Sequence, residues 1–330
     1  MAGGTGGHIF PALAIANELN KRSANIQWLG STRGMENSLV PKYGITLHTV
    51  SAVGLRGKNL FSLLKAPFLL NLAFFQTIMV FVKTKPDVVL GMGGFASGIG
   101  GVVAWMLRIP LVIHEQNSIP GTTNKLLSKI ATQTFQAFEH TFDKTIVAIT
   151  SGNPISFTAQ QKSPKSQPLN LLVLGGSLGA KSINEAIPKL KTELNIWHQT
   201  GKQHLDSTER SYQGKNAKIS AFIDDMAQAY AWADIIICRC GAMTISELIA
   251  TGSVAILIPF PYAIDDHQTE NAKILSEQNA GVLLPQTELS AQKLDEILSE
   301  IDLDAMSSVI NQFKKNDSIK LISDYLIAID

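Results

Sequence analysis

Leu169-Asn170-Leu171-Leu172-Val173-Leu174 runs without a break into Gly175-Gly176-Ser177-Leu178-Gly179-Ala180, and a helical stretch follows. An apolar run without alternation marks a strand buried on both faces, as in a parallel sheet covered by helices. A glycine turn at the end of such a strand lets backbone N–H groups approach an anion, and the next helix adds its dipole. The same order recurs along the 330 residues. Strand-like runs lie at residues 26–29, 87–90, 111–113 and 145–149, and a second series at 169–174, 195–197, 219–223, 235–237 and 254–258. Helical stretches separate them, so the expected class is α/β, with two Rossmann-like parallel-sheet domains facing a cleft.

Between the two series, residues 153–168 hold three prolines and little apolar content. They read as a linker. The expected division is 1–152, the linker 153–168, a second domain at 169–316, and a C-terminal helix at 317–330 packing back on the first domain. With 28 Lys+Arg against 27 Asp+Glu, a net charge of +1 argues against a nucleic-acid partner, which would need a basic surplus. A charged fraction of 17% beside 45% hydrophobic residues excludes a disordered chain. Cys238 and Cys240 are too few to staple the fold, so a reducing compartment is expected. The amino terminus shows no basic-then-apolar leader pattern.

Residues 60–82 form a Leu- and Phe-rich stretch with Lys65 as its single charge. It is long enough to cross a bilayer, but Pro67, Asn71 and Gln76 interrupt it, and a crossing would part strands of one domain. Arg56, Lys58, Lys83 and Lys85 flank it, which suits a helix lying on an anionic membrane surface. A buried crossover helix is the competing reading.

Two further glycine turns accompany the first: Gly3-Gly4-Thr5-Gly6-Gly7-His8, ahead of a helical stretch at 9–19, and Gly91-Met92-Gly93-Gly94-Phe95. One such turn alone is a tight corner of any α/β fold. Three at strand-to-helix junctions favour phosphate binding. None carries the Gly-Lys-Ser/Thr of a P-loop. Gly30-Ser31-Thr32 after the second expected strand lacks the acidic residue that grips a dinucleotide ribose, which disfavours an oxidoreductase.

His8 closes the first turn, where it can serve as a general base or merely cap the helix. His114-Glu115-Gln116-Asn117 ends a strand and reads as a set of ligand contacts, with a hydrogen-bonded loop as the alternative. Asp265-Asp266 and Cys238-Arg239-Cys240 lack the further ligands that a metal needs. Gly241-Ala242-Met243-Thr244-Ile245-Ser246-Glu247 reads as another strand-to-helix turn. Its carboxylate, expected in the first helical turn, either caps the helix or holds two ribose hydroxyls. Gln268, which both donates and accepts, suits a sugar hydroxyl.

These glycine turns, His-Glu-Gln-Asn and the Gly241–Glu247 segment occur in an order that resembles the MurG family, the peptidoglycan N-acetylglucosaminyltransferases of the GT-B fold. The resemblance implies transfer of GlcNAc from UDP-GlcNAc to the MurNAc 4-hydroxyl of undecaprenyl-linked lipid I, with inversion and without a metal or other cofactor. It implies donor-site roles for Thr5, Gly6, Gly7 and Asn117, diphosphate contact by Ser177, and uracil reading by the backbone at Ile223. It further implies a nucleotide lining of Ala242, Met243, Thr244, Ile245 and Ser246, with Glu247 on the ribose and Gln268 on the GlcNAc hydroxyls. His8 is the expected base. A peripheral place on the cytoplasmic membrane surface follows, and room for other cell-wall synthesis proteins as partners. A non-catalytic nucleotide-sugar-binding protein and a diacylglycerol galactosyltransferase are the alternatives. Two departures stand out. Ser156 occupies a position where the family carries arginine, and only Met1 and Ala2 precede the first turn where the family has a hydrophobic strand. A sheet position short of one strand, and a loosened Thr5–His8 turn, are therefore expected.

Overall fold

The computed structural model describes residues 1–51, 60–176, 178–263 and 266–329, with side chains described outside 60–66. Two compact units result, Met1–Ser156 with Asn316–Asp330, and Phe157–Lys315.

In the first unit, α1 (Gly6–Lys21) leads to β1 (Gln27–Ser31), α2 (Glu36–Leu39) and β2 (Thr46–Val50). Then come α3 (Leu60–Thr84), β3 (Val89–Gly91), α4 (Gly94–Met106), β4 (Leu111–Glu115), α5 (Thr122–Leu127), β5 (Gln133–Gln136) and β6 (Ala148–Thr150). All strand pairs are parallel. β1 pairs with β2, and β3-β4-β5-β6 form a second sheet. Met1 and Ala2 lie against both sheets: the Met92 amide donates to Met1 O at 3.0 Å and the Trp28 indole to Ala2 O at 2.9 Å. Leu29 and Val89 on the flanking strands stay buried.

Alternate residues of β4 serve opposite faces. Val112 packs with Ile9, Leu13 and Phe135, while Leu111 and Ile113 pack with Val89, Val103 and Leu127. Burying such a side chain contributes about 2 kcal/mol, so two faces covered along every strand hold the layers together.

The second unit runs β7 (Asn170–Leu174), α6 (Lys181–Ala186), β8 (Asn195–Gln199), α7 (Leu205–Ser211), β9 (Ala217–Ser220), α8 (Met226–Trp232) and β10 (Ile235–Cys238). It continues through α9 (Ala242–Thr251), β11 (Ala255–Leu257), α10 (His267–Ser276), β12 (Val282–Leu283), α11 (Ala291–Glu300) and α12 (Leu303–Ile310). Its parallel sheet has the order β12-β11-β10-β7-β8-β9. The chain then returns to the first unit as α13 (Ser318–Ala328), whose Ile322 and Leu326 join the cluster around Ile9 and Leu13.

Three local expectations change. β2 and β5 are mostly polar (Thr46-Leu47-His48-Thr49-Val50 and Gln133-Thr134-Phe135-Gln136), so a search for continuous apolar runs passes over them. β9 lies at Ala217–Ser220, ahead of the expected 219–223. α1 begins at Gly6 rather than residue 9, which places His8 inside its first turn.

α3 resolves the burial question for its described part. Ala73, Thr77 and Phe81 face inward, whereas Phe68, Leu72, Phe75, Met79 and Val82 form an exposed stripe at alternating spacings of four and three. Only 17% of Pro67–Thr84 is buried. Arg56, Lys58 and the side chain of Lys65 lie outside the described residues.

Candidate active site

The first glycine turn is shaped by a residue that sequence reading did not single out. Glu36 is fully buried. Its carboxylate accepts from the Gly4 amide (3.1 Å), the Ser31 amide (2.8 Å) and the Ser31 hydroxyl (2.7 Å). A Cβ on Gly3, Gly30 or Gly34 would strike that carboxylate. These three glycines are therefore spaces for an acid, and the acid orients the turn by the hydrogen bonds it accepts. Thr5 caps α1 through its backbone only and is exposed, as is Gly7, while Gly6 is half-buried.

His8 stands on this platform. Its Nδ1 lies 2.8 Å from Gln116 Oε1. Gln116 Nε2 lies 3.0 Å from both His114 Nδ1 and His114 O, and His114 Nε2 lies 3.0 Å from Gly152 O. The second glycine turn packs on the first. Gly93 has φ +99°, and a Cβ there would sit 2.8 Å from His8 Cε1. Gly94 has φ +81°, and its Cβ would sit 2.7 Å from Gly3 O. Gly93 thus makes room for the His8 ring and Gly94 for the backbone at Gly3.

His-Glu-Gln-Asn is mostly internal, and the reading of all four as ligand contacts is corrected. His114, Glu115 and Gln116 are buried. Glu115 accepts from the Asn117 amide and side chain (3.0 Å each), the Gly121 amide (3.0 Å) and Asn124 (2.9 Å), which closes the loop after β4. Asn117, half-buried, is the member left at the surface of this loop. Burial pushes His114 down to about 4, so its ring is neutral.

In the second unit, Gly179 (φ +78°) has no room for a Cβ against Thr200 O, whereas Gly176 (φ +81°) faces open space. Ser177 lies outside the described residues. Gln199 ties this turn to the next strand end: its Nε2 donates to Gly176 O (3.1 Å) and its Oε1 accepts from the Ile223 amide (3.0 Å). The Ile223 N–H is thus engaged within the chain.

α9 begins at Ala242, so Glu247 sits in its second turn and the capping reading falls away. The fully buried Tyr230 donates to Glu247 Oε2 at 2.8 Å, and burial still lifts this carboxyl to about 7. Ile245 is wholly buried and its amide donates to Gly241 O, which removes it from a nucleotide lining. Ala242 and Ser246 are also buried, and Met243 and Thr244 are half-buried.

Gln268 Oε1 accepts from the Cys240 amide (3.2 Å) and the Phe260 amide (2.9 Å), drawing together the loops after β10 and β11. Its Nε2 points to no partner among the described residues. Arg239 pins the same loops from beneath, donating to Ile258 O, Pro259 O, Ser182 Oγ and Gln286 Oε1. Ser156, in place of the arginine that the resemblance implies, is exposed, and Asp265 lies outside the described residues.

Residues 1–136 match the glycosyltransferase family 28 N-terminal domain, and residues 170–324 its C-terminal domain. A Vesicomyosocius okutanii protein is 59% identical over 100% of this chain and 97% of its own length. It is described as UDP-N-acetylglucosamine–N-acetylmuramyl-(pentapeptide) pyrophosphoryl-undecaprenol N-acetylglucosamine transferase. A Cellvibrio japonicus protein of the same description is 52% identical over 91% of this chain and 87% of its own. The crystal structure of Acinetobacter baumannii MurG superposes with a TM-score of 0.85 at 35% identity, covering 99% of this chain and 98% of that one. With both domains matched in order and the relatives covered nearly end to end, the chain belongs to glycosyltransferase family 28 and has the GT-B type of fold.

Proposed function

We propose that this chain moves GlcNAc from UDP-GlcNAc to the MurNAc 4-hydroxyl of undecaprenyl-pyrophosphoryl-MurNAc-pentapeptide, converting lipid I to lipid II in peptidoglycan synthesis. The observation that carries this reading is the end-to-end identity of 59% with a relative described by that reaction.

The chemistry is one in-line displacement. The acceptor oxygen attacks the anomeric carbon while the bond from that carbon to UDP breaks, and its electron pair leaves with the diphosphate. The acceptor hydroxyl needs a base, and His8 Nε2 takes its proton. The departing diphosphate needs fixed positive dipoles, which the open turn at Gly176 and the amino end of α9 supply. Glu247 holds the ribose. With its carboxyl near 7, protonated and ionised forms coexist around neutrality, so it can donate as well as accept. Gln268 offers its amide N–H groups to the GlcNAc hydroxyls, and donor contacts from the first unit fall to Thr5, Gly6, Gly7 and Asn117.

His8→Ala is expected to lower turnover by about 100-fold or more, with UDP-GlcNAc affinity unchanged. UDP release with a short-chain lipid I analogue measures it. Near-normal turnover would remove His8 from the base role.

The acceptor is anchored in lipid, and the exposed stripe of α3 supplies a surface for it. Trp105, Met106 and Leu107 at the end of α4 are exposed too, with Arg108, Lys83 and Lys85 nearby in sequence. An apolar face bordered by cations suits the interface of an anionic leaflet. The double variant Phe75→Asp, Met79→Asp is expected to weaken sedimentation with phosphatidylglycerol vesicles by about tenfold or more. Circular dichroism should not change, and undiminished vesicle binding would exclude this face.

A further inference from the structure

Four polar groups in a row fix the proton positions of the first unit's site. Gly152 O can only accept, so His114 Nε2 carries a hydrogen. His114 is neutral, so its Nδ1 presents a lone pair. That lone pair and the His114 backbone oxygen are both acceptors, and both lie 3.0 Å from one end of the Gln116 side chain. That end is therefore the NH2 group. The backbone oxygen alone would settle this, whatever the ring of His114 does.

The other end of Gln116 is an oxygen, 2.8 Å from His8 Nδ1. An amide oxygen only accepts, so His8 Nδ1 must donate. A neutral His8 then has its lone pair on Nε2, which makes no hydrogen bond among the described residues. Free histidine favours the opposite form, with hydrogen on Nε2, and that form could not accept a proton there. We infer that Gln116, oriented by His114, is a positioning residue that holds His8 in its Nδ1–H form with Nε2 open as the proton acceptor. The inference rests on the base role proposed above for its catalytic meaning, though not for its geometry.

Gln116 thus takes the place that a carboxylate holds behind the histidine of a Ser-His-Asp triad. Being neutral, it sets the tautomer without adding charge to the ring. Gly93 lies close against the ring and Gln116 engages its Nδ1, so both constrain the orientation of His8.

The test is a long-range ¹H–¹⁵N spectrum of the full chain labelled on its seven histidines, with His8 assigned through the signals missing in His8→Gln. Wild type should show a protonated Nδ1 and an unprotonated Nε2. In Gln116→Leu the two should exchange roles, kcat should fall about 10- to 100-fold, and KM for UDP-GlcNAc should hold. His114 O keeps its bond from Asn124 (3.0 Å), so this variant leaves no orphaned carbonyl. An Nε2–H ring in wild type, or an unchanged ring in Gln116→Leu, overturns the inference. The wild-type spectrum decides even where the variant misfolds. A tautomer that switches while turnover stays normal supports the positioning by Gln116 and instead sinks the base role of His8.

Discussion

Gly93→Ala is expected to lower kcat by about 100-fold, although residue 93 offers no chemistry of its own. Two effects combine. At φ +99° and ψ 176°, a region essentially reserved for glycine, an alanine is strained by about 1–3 kcal/mol. Its Cβ would also sit 2.8 Å from His8 Cε1 and 3.0 Å from Nδ1, closer than carbon and ring atoms approach. The neighbouring backbone already runs close to Gly3, where a Cβ on Gly94 would sit 2.7 Å from its oxygen, so relief falls on the ring, and Nδ1 leaves Gln116. A displacement of about 1 Å at a reacting group costs about 100-fold in rate. Gly44→Ala separates strain from collision, because Gly44 has φ +70° with nothing within 4 Å of its Cβ. It should lose about 1 kcal/mol of stability and no turnover. Equal turnover in Gly93→Ala and wild type would show that the ring has slack.

The second large effect is on stability between pH 6.5 and 4. His198 is wholly buried on β8. Its Nε2 bonds Asn184 Oδ1 at 3.0 Å, and its Nδ1 bonds the Tyr212 hydroxyl at 2.8 Å. Burial pushes it down to about 3 and His114 to about 4, from an ordinary 6.5. In both, the folded chain resists a proton that the unfolded chain accepts. Stability therefore falls as pH drops below 6.5, and the loss is complete only once the folded values are passed. Each histidine contributes about 3 kcal/mol or more to this loss.

Glu247 acts in the opposite sense. Raised to about 7 from 4.5, it binds its proton more tightly when folded, so stability is lost as pH rises through that window. Two histidines outweigh one glutamate. The urea midpoint should fall steeply from pH 6.5 to 4, and His198→Met should flatten that slope even if it lowers the plateau. A midpoint independent of pH over this range would contradict the buried neutral rings.

Much of this molecule is legible from pattern alone, for reasons that particular elements make plain. Residues 171–174 and Ile235–Cys238 are unbroken apolar runs because both faces of the sheet are covered, which strongly favours apolar side chains on either face. β2 and β5 escaped because most of their residues are polar, and β9 was displaced because its run carries Lys218. Helix starts were blurred by glycine, whose weak helical preference hid the first turn of α1.

The site divides along the same line. Sequence alone determined that glycine turns would follow strands, that His8 would stand at one of them, and that a carboxylate and an amide would follow β10 and β11. Each of those is a local statement, set by a few neighbouring residues. Only the tertiary structure decided what the glycines are for: Gly3, Gly30 and Gly34 make room for Glu36, and Gly93 makes room for His8. It alone turned His-Glu-Gln-Asn from a row of apparent ligands into a loop closure and a proton-positioning chain. The physical reason is that a hydrogen bond between His8 and Gln116 joins residues 108 positions apart. Neither residue type, nor its immediate neighbours, carries any mark of a partner so distant.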